Sequence, residues 1–137
     1  MAVLRIEKRL QTAPTLVVCP ASVVMHWEDE VKKYFAADLL CPVRFATSLS
    51  PLALSSSGGA AVVIVSYEMV RRDVFNSRRS LLKSLVWECV VLDEAHLIKN
   101  PTAQVTQAVC SLQSKHRVAL SGTPVQNQVE KTFIRCL

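Results

Sequence analysis

The sequence predicts an α/β domain: a mainly parallel sheet with flanking helices. Three observations carry this reading. Apolar runs of strand length recur at residues 15–19, 43–46, 61–65, 88–92 and 117–120, and several are nearly all Val, Ile or Leu rather than alternating. Such runs mark strands covered on both faces. Helical patterns separate most of them, the order that places helices on a parallel sheet. Half of the 137 residues are hydrophobic and one fifth are charged, which gives a real core and excludes a disordered tail.

The elements follow in chain order. Thr15-Leu-Val-Val-Cys19 reads as the first strand. After Ser22, an apolar stripe at Val24, Trp27, Val31 and Tyr34 predicts a helix, with Ser22 as its N-cap. Trp27 lies on the stripe and reads as core rather than as a base-stacking platform. Residues 48–59 are Ser-rich with Pro51 and Gly58-Gly59, a surface loop between two strands. Short helices are expected from Tyr67 through Arg72 and from Ser80 to Leu85. Thr102 is expected to cap a helix carrying Val105, Ala108, Val109 and Leu112 on one face. The strand at 117–120 ends the pattern.

Charge and cysteine narrow the function classes. Sixteen Lys and Arg oppose eleven Asp and Glu, giving +5. The excess is local: Arg71, Arg72, Arg78, Arg79 and Lys83 face only Asp73 within that stretch. A patch of this kind suits a phosphate backbone, and a solvated helix face has the same signature. The apolar run at 60–65 is too short to span a bilayer, so no membrane partner is expected. Residues 1–10 lack the apolar core of a secretory signal. Cys19, Cys41, Cys89, Cys110 and Cys136 are irregularly spaced with no CxxC pair. A reduced, metal-free, intracellular chain is the simplest account.

Two segments carry chemistry. Val90-Val-Leu-Asp93-Glu94-Ala-His96 ends a buried strand in adjacent carboxylates. Ligands of open α/β sheets bind outside the carboxyl ends of the strands, so these acids face the crevice. One acid can hold Mg²⁺ through water while the other orients an attacking water; a plain loop start is the alternative. Arg117-Val-Ala-Leu-Ser121-Gly122-Thr123-Pro124 breaks a strand into hydroxyls, Gly and Pro. Such a turn can present hydroxyls and N–H groups to a phosphate, or be an ordinary turn.

Together the motifs resemble the Swi/Snf-type ATPases of helicase superfamily two. Thr15-Leu-Val-Val-Cys-Pro-Ala-Ser22 with Trp27 is similar to motif Ia, and Val63-Ile-Val-Ser-Tyr-Glu68 to the next conserved strand and turn. Asp93-Glu-Ala-His96 with Ile98-Lys-Asn-Pro101 resembles the Walker B box and its extension. Leu120-Ser-Gly-Thr-Pro-Val-Gln-Asn127 resembles motif III. The resemblance implies an incomplete P-loop NTPase RecA-like lobe over residues 14–130. Residues 1–13 would be a helix remnant and residues 131–137 a divergent tail, as a truncated or misread end would give.

The resemblance also implies roles. Asp93 is similar to the Mg²⁺ ligand, acting through water, and Glu94 to the catalytic base. His96, Ser121, Thr123 and Gln126 would couple nucleotide state to DNA state. Ser22, Ser66 and Tyr67 would line the DNA-tracking face, and Arg71 and Arg72 would add phosphate contacts. It implies ATP and Mg²⁺ as cofactors of an intact parent, duplex DNA as partner, and the nucleus as location. Residues 26–31 and 121–124 resemble the subgroup that strips TATA-binding protein from DNA, which makes that protein or a nucleosome the remodelled partner.

Two features depart from the family. The only glycines are Gly58, Gly59 and Gly122, and no Gly-Lys-[Ser/Thr] occurs. The second lobe with its arginine finger is also missing from the sequence. The chain alone is therefore expected to bind neither ATP nor Mg²⁺ well and to be inactive. A non-catalytic DNA- or protein-binding module derived from such a lobe is the alternative reading.

Overall fold

Residues 13–34, 40–44 and 60–122 are described by a computed structural model. Their five strands are β1 (Thr15–Cys19), β2 (Leu40–Arg44), β3 (Ala60–Ser66), β4 (Val86–Leu92) and β5 (Gln113–Ala119). They form one sheet in the order β2-β3-β1-β4-β5, and every pairing is parallel. The helices are α1 (Val24–Tyr34), α2 (Tyr67–Asn76), α3 (Leu81–Ser84) and α4 (Gln104–Cys110). This is the predicted fold class.

The sheet is covered unequally on its two faces. Leu16, Val18, Val63, Val65, Val90 and Leu92 pack with Tyr67 and Val70 of α2, Leu82 of α3 and Ala108 and Val109 of α4. On the other face, Val17, Cys19, Val62 and Ile64 pack with Val31 of α1. Register places Ile64, Val17, Val91 and Val118 in one row across four strands. Cover along that row fades towards β5: Ile64 is fully buried, while Val118 is 44% exposed.

Several expected boundaries move. β5 starts at Gln113 rather than 117, because its backbone pairs with β4 from Val86 onward although Gln-Ser-Lys-His is polar. The strand expected at 43–46 is Leu40–Arg44. Ser22 does not cap α1, since it lies within a 3-10 turn, Ala21–Val23, that leads straight into the helix. Thr102 does not cap α4 either. Its N–H and hydroxyl both donate to Asn100 Oδ1, and Ala103 precedes the helix. Ser66 and Ser80 are the serines that cap, accepting from the N–H of Met69 and Lys83.

Cys19 and Cys89 carry free thiols. The expectation of a fully reduced chain fails at Cys110, which is disulfide-bonded. Among the described residues, no helix is long and apolar enough to cross a membrane.

Asp73 is a buried acid that fixes the α2–α3 connection. It accepts hydrogen bonds from the Ser80 hydroxyl at 2.5 Å and the Leu82 N–H at 3.0 Å. Asp73→Ala strands these donors in the interior and should destabilise the fold by about 2–3 kcal/mol. Urea unfolding of the variant measures this, and a change within a few tenths would show the acid to be dispensable.

Candidate functional site

The carboxyl ends of β1, β3, β4 and β5 lie side by side, and backbone bonds join the loops that leave them. The Asp93 N–H donates to the Val18 carbonyl at 2.9 Å, continuing the β1–β4 ladder by one residue. The Leu120 N–H donates to the Leu92 carbonyl at 2.8 Å, and the Ala95 N–H returns to the Leu120 carbonyl at 2.9 Å. The segments after β4 and β5 are thereby stitched together. A Cβ placed on Gly122 would have Glu94 Oε1 as its nearest neighbour, at 3.9 Å, so Gly122 sits beside the Glu94 carboxylate.

Asp93 is engaged at both carboxylate oxygens and at its main chain. Oδ1 accepts the Glu94 N–H at 2.9 Å, and Oδ2 accepts the Trp27 indole N–H at 2.8 Å. The Tyr67 hydroxyl donates to the Asp93 carbonyl at 2.7 Å. Glu94 has a left-handed backbone, with φ 49° and ψ 47°, and its side chain is 42% exposed. His96 Nδ1 lies 3.0 Å from Glu94 Oε2, yet this buried nitrogen makes no hydrogen bond among the described residues.

The Asp93 charge acts on its neighbours. Burial first, and then Asp93, pushes the Cys19 thiol up to about 12. Burial and then Asp93 also raise Tyr67 above the ordinary phenol range, so its hydroxyl stays a donor. Away from the strand ends, the hydrogen bond from Arg71 holds the Glu68 carboxyl down at about 2.

The structure brings Asp93, Glu94, His96 and Ser121 to one sheet end. Thr123 and Gln126 lie outside the described residues. Ser22 is exposed in the turn after β1, at the same end of the sheet. Ser66 spends its hydroxyl on the Met69 N–H. Tyr67 is buried and turned towards Asp93 rather than to a surface. Arg71 and Arg72 both pair with Glu68, at 2.7 and 3.1 Å, and Arg71 also donates to Gln104 Oε1 at 3.0 Å. Sequence reasoning missed the part played by Trp27. Its ring packs on the sheet as expected, but its N–H reaches Asp93. The available signal was that a partly buried indole N–H needs an acceptor.

The donor set can be tested against Mg²⁺. Among the described residues, no three His, Cys, Asp or Glu side chains are grouped to hold a metal, so there is no all-protein cage. Each Asp93 oxygen accepts one protein hydrogen bond and keeps a further lone pair. Mg²⁺ retains several waters and takes few protein ligands. One carboxylate acting through water fits it.

The family model of the SNF2-related domain matches residues 2–134. The chain belongs to the SNF2-related family. It is 43% identical over 124 residues to the TATA-binding protein-associated factor mot1 of Aspergillus fumigatus, covering 90% of this chain and 6% of that protein. It is 34% identical over 128 residues to the human helicase-like transcription factor, covering 91% of this chain and 12% of that one. The Sulfolobus solfataricus SWI2/SNF2 ATPase core in complex with dsDNA superimposes with a TM-score of 0.71 at 32% identity, over 91% of this chain and 25% of that core. The SNF2-related chain is thus a fragment of the first RecA-like lobe and spans a small part of its relatives.

Within this SNF2-related fragment, Glu94 is the only non-glycine residue at positive φ among the described residues. A residue with a Cβ held there is strained by roughly 1–2 kcal/mol. Glu94→Gly should therefore stabilise the fold by up to about 1 kcal/mol, after the entropy glycine loses on folding. A thermal or urea midpoint that falls instead would show that Glu94 contacts outweigh the strain.

Proposed function

We propose that this chain is the nucleotide- and DNA-facing part of an ATP-dependent, nuclear DNA translocase that remodels a protein–DNA complex. The observation that carries this reading is the adjacent Asp93-Glu94 pair at the end of β4, stitched to the segment after β5, in a chain of this family. Asp93 would hold Mg²⁺ through water, and the ion would neutralise charge on the transferred phosphate. Glu94, 42% exposed and close to Gly122, would orient the attacking water. His96 and Ser121, with Thr123 and Gln126, would relay nucleotide state to the DNA face. Ser22, Ser66, Arg71 and Arg72 would lie along that face, with Tyr67 supporting it from beneath.

Duplex DNA is the partner this reading requires. The similarity to mot1, a TATA-binding protein-associated factor, makes TATA-binding protein the favoured remodelled target. ATP and Mg²⁺ are the cofactors of the intact assembly. The sequence itself has no Gly-Lys-[Ser/Thr], so a loop that cradles the phosphates must come from elsewhere. That same feature favours a second reading, a DNA- or protein-binding module without catalysis.

Duplex binding tests the part that the translocase reading shares with a DNA-binding module. The chain should bind duplex DNA weakly, without sequence preference, and with affinity falling steeply as salt rises. Arg71→Ala with Arg72→Ala should lower the slope of log affinity against log salt by about 2. Fluorescence anisotropy across a salt series measures both quantities. Unchanged affinity and slope would show that α2 is not the contact surface.

A further inference from the structure

Two helices that follow different strands each send one hydrogen bond to the same acid. Trp27, in the first turn of α1, donates to Asp93 Oδ2 at 2.8 Å, and Tyr67, the first residue of α2, donates to the Asp93 carbonyl at 2.7 Å. Trp87 provides the contrast. It is fully buried, and its indole N–H goes to the Leu82 carbonyl at 2.9 Å, as in an ordinary core tryptophan. Trp27 is only partly buried and spends its donor on a carboxylate.

The three bonds to Asp93 restrain different degrees of freedom. With Oδ1 on the Glu94 N–H and Oδ2 on Trp27, rotation about the carboxylate is blocked. The Tyr67 bond holds the main chain from which that side chain hangs. Hydrogen bonds to charged acceptors are the stronger kind, and they weaken steeply with distance. A displacement of α1 or α2 by about 1 Å would break its bond and release the acid.

The residues assigned above to the DNA side lie in or lead directly into these two helices. α1 continues directly from the turn that contains Ser22, while α2 is capped by Ser66 and carries Arg71 and Arg72. The geometry points to Trp27 and Tyr67 as positioning residues for Asp93, through which whatever binds the segments after β1 and β3 sets the orientation of the acid. This rests on the reading of Asp93 as the Mg²⁺-holding acid and of Ser22, Ser66, Arg71 and Arg72 as DNA-facing. Neither residue need touch phosphate, because both act through Asp93.

Carboxyl footprinting of the full chain at sub-micromolar concentration tests the inference. A water-soluble carbodiimide with glycine ethyl ester labels carboxyl groups, and peptide mass spectrometry reads each site. Trp27→Phe keeps the ring and removes the donor, and should raise Asp93 labelling about fivefold. Tyr67→Phe should raise it about twofold, the main chain being also held by the Val18 carbonyl. Glu88, paired with Lys115 at 2.7 Å, should label as in the parent chain. Asp93 labelling unchanged in both variants, or rising in step with Glu88, would overturn the inference.

A second arm adds short duplex DNA, with binding followed independently by anisotropy. Bound duplex should change Asp93 labelling at least about twofold in the parent chain and have no effect in the Trp27→Phe/Tyr67→Phe double variant. Duplex that binds without moving Asp93 labelling would overturn the coupling and leave the functional reading standing. Failure of duplex to bind would instead sink the functional reading, and the contrast between the variants would still decide the positioning.

Discussion

Phosphate release from ATP by the purified 137-residue chain is expected to be absent, with or without DNA. The rate should lie at least about 10³-fold below that of a two-lobed SNF2-type core measured alongside. On the proposed reading Asp93 and Glu94 would supply a metal-holding and a water-orienting carboxylate, but phosphoryl transfer is mostly positioning and electrostatic stabilisation. Without a Gly-Lys-[Ser/Thr] motif, this chain would lack the nest of N–H groups and the lysine that hold the β- and γ-phosphates in a P-loop. The arginine finger that the family draws from a second lobe is worth on the order of 10³ or more by itself. Steady phosphate release from this chain, abolished by Glu94→Gln, would refute the expectation.

The second large effect is self-association through β5. Among the described residues, β5 pairs only with β4, and its outer edge is open. Lysine often guards such an edge, but here Lys115 bonds Glu88 of β4 at 2.7 Å. The Arg117 guanidinium is turned to the Val109 and Leu112 carbonyls at the end of α4. Val118 and Leu120 are 44% and 40% exposed beside this unguarded edge. The chain should therefore oligomerise at micromolar concentration, as sedimentation velocity would show. Val118→Lys should move the equilibrium towards monomer by about tenfold or more. A monodisperse monomer with cooperative unfolding and slow amide exchange at residues 118–120 would refute this.

The parallel sheet was legible because its strands advertise themselves. Leu16-Val-Val-Cys19 and Ala61-Val-Val-Ile-Val65 are buried on both faces, and only a covered strand can be so continuously apolar. The start of β5 was not legible, since an edge strand can pair its backbone while its side chains stay polar. The caps at Ser22 and Thr102 failed for local reasons that composition does not reveal. A 3-10 turn absorbs Ser22, and Asn100 captures both donors of Thr102. The Asp93-Glu94 pair could be located from its strand, whereas the Trp27 and Tyr67 bonds join residues 66 and 26 positions apart. Periodicity along one helix carries no record of such a partner.

The strand order has a consequence for how the chain acquires its structure. β1 precedes the other described strands in the chain but sits in the middle of the sheet, and its opening residue Thr15 pairs with Val62 on one side and Cys89 on the other. Among the described residues no strand closes a local hairpin, because every pairing is parallel and spans a crossover. During synthesis this apolar central strand must wait, unpaired, until β3 and then β4 leave the ribosome. High contact order of this kind slows folding and prolongs exposure of sticky segments. Among the described strands, the vulnerable interval therefore runs from the emergence of Cys19 to that of Leu92, and the Asp93 site cannot assemble before it closes.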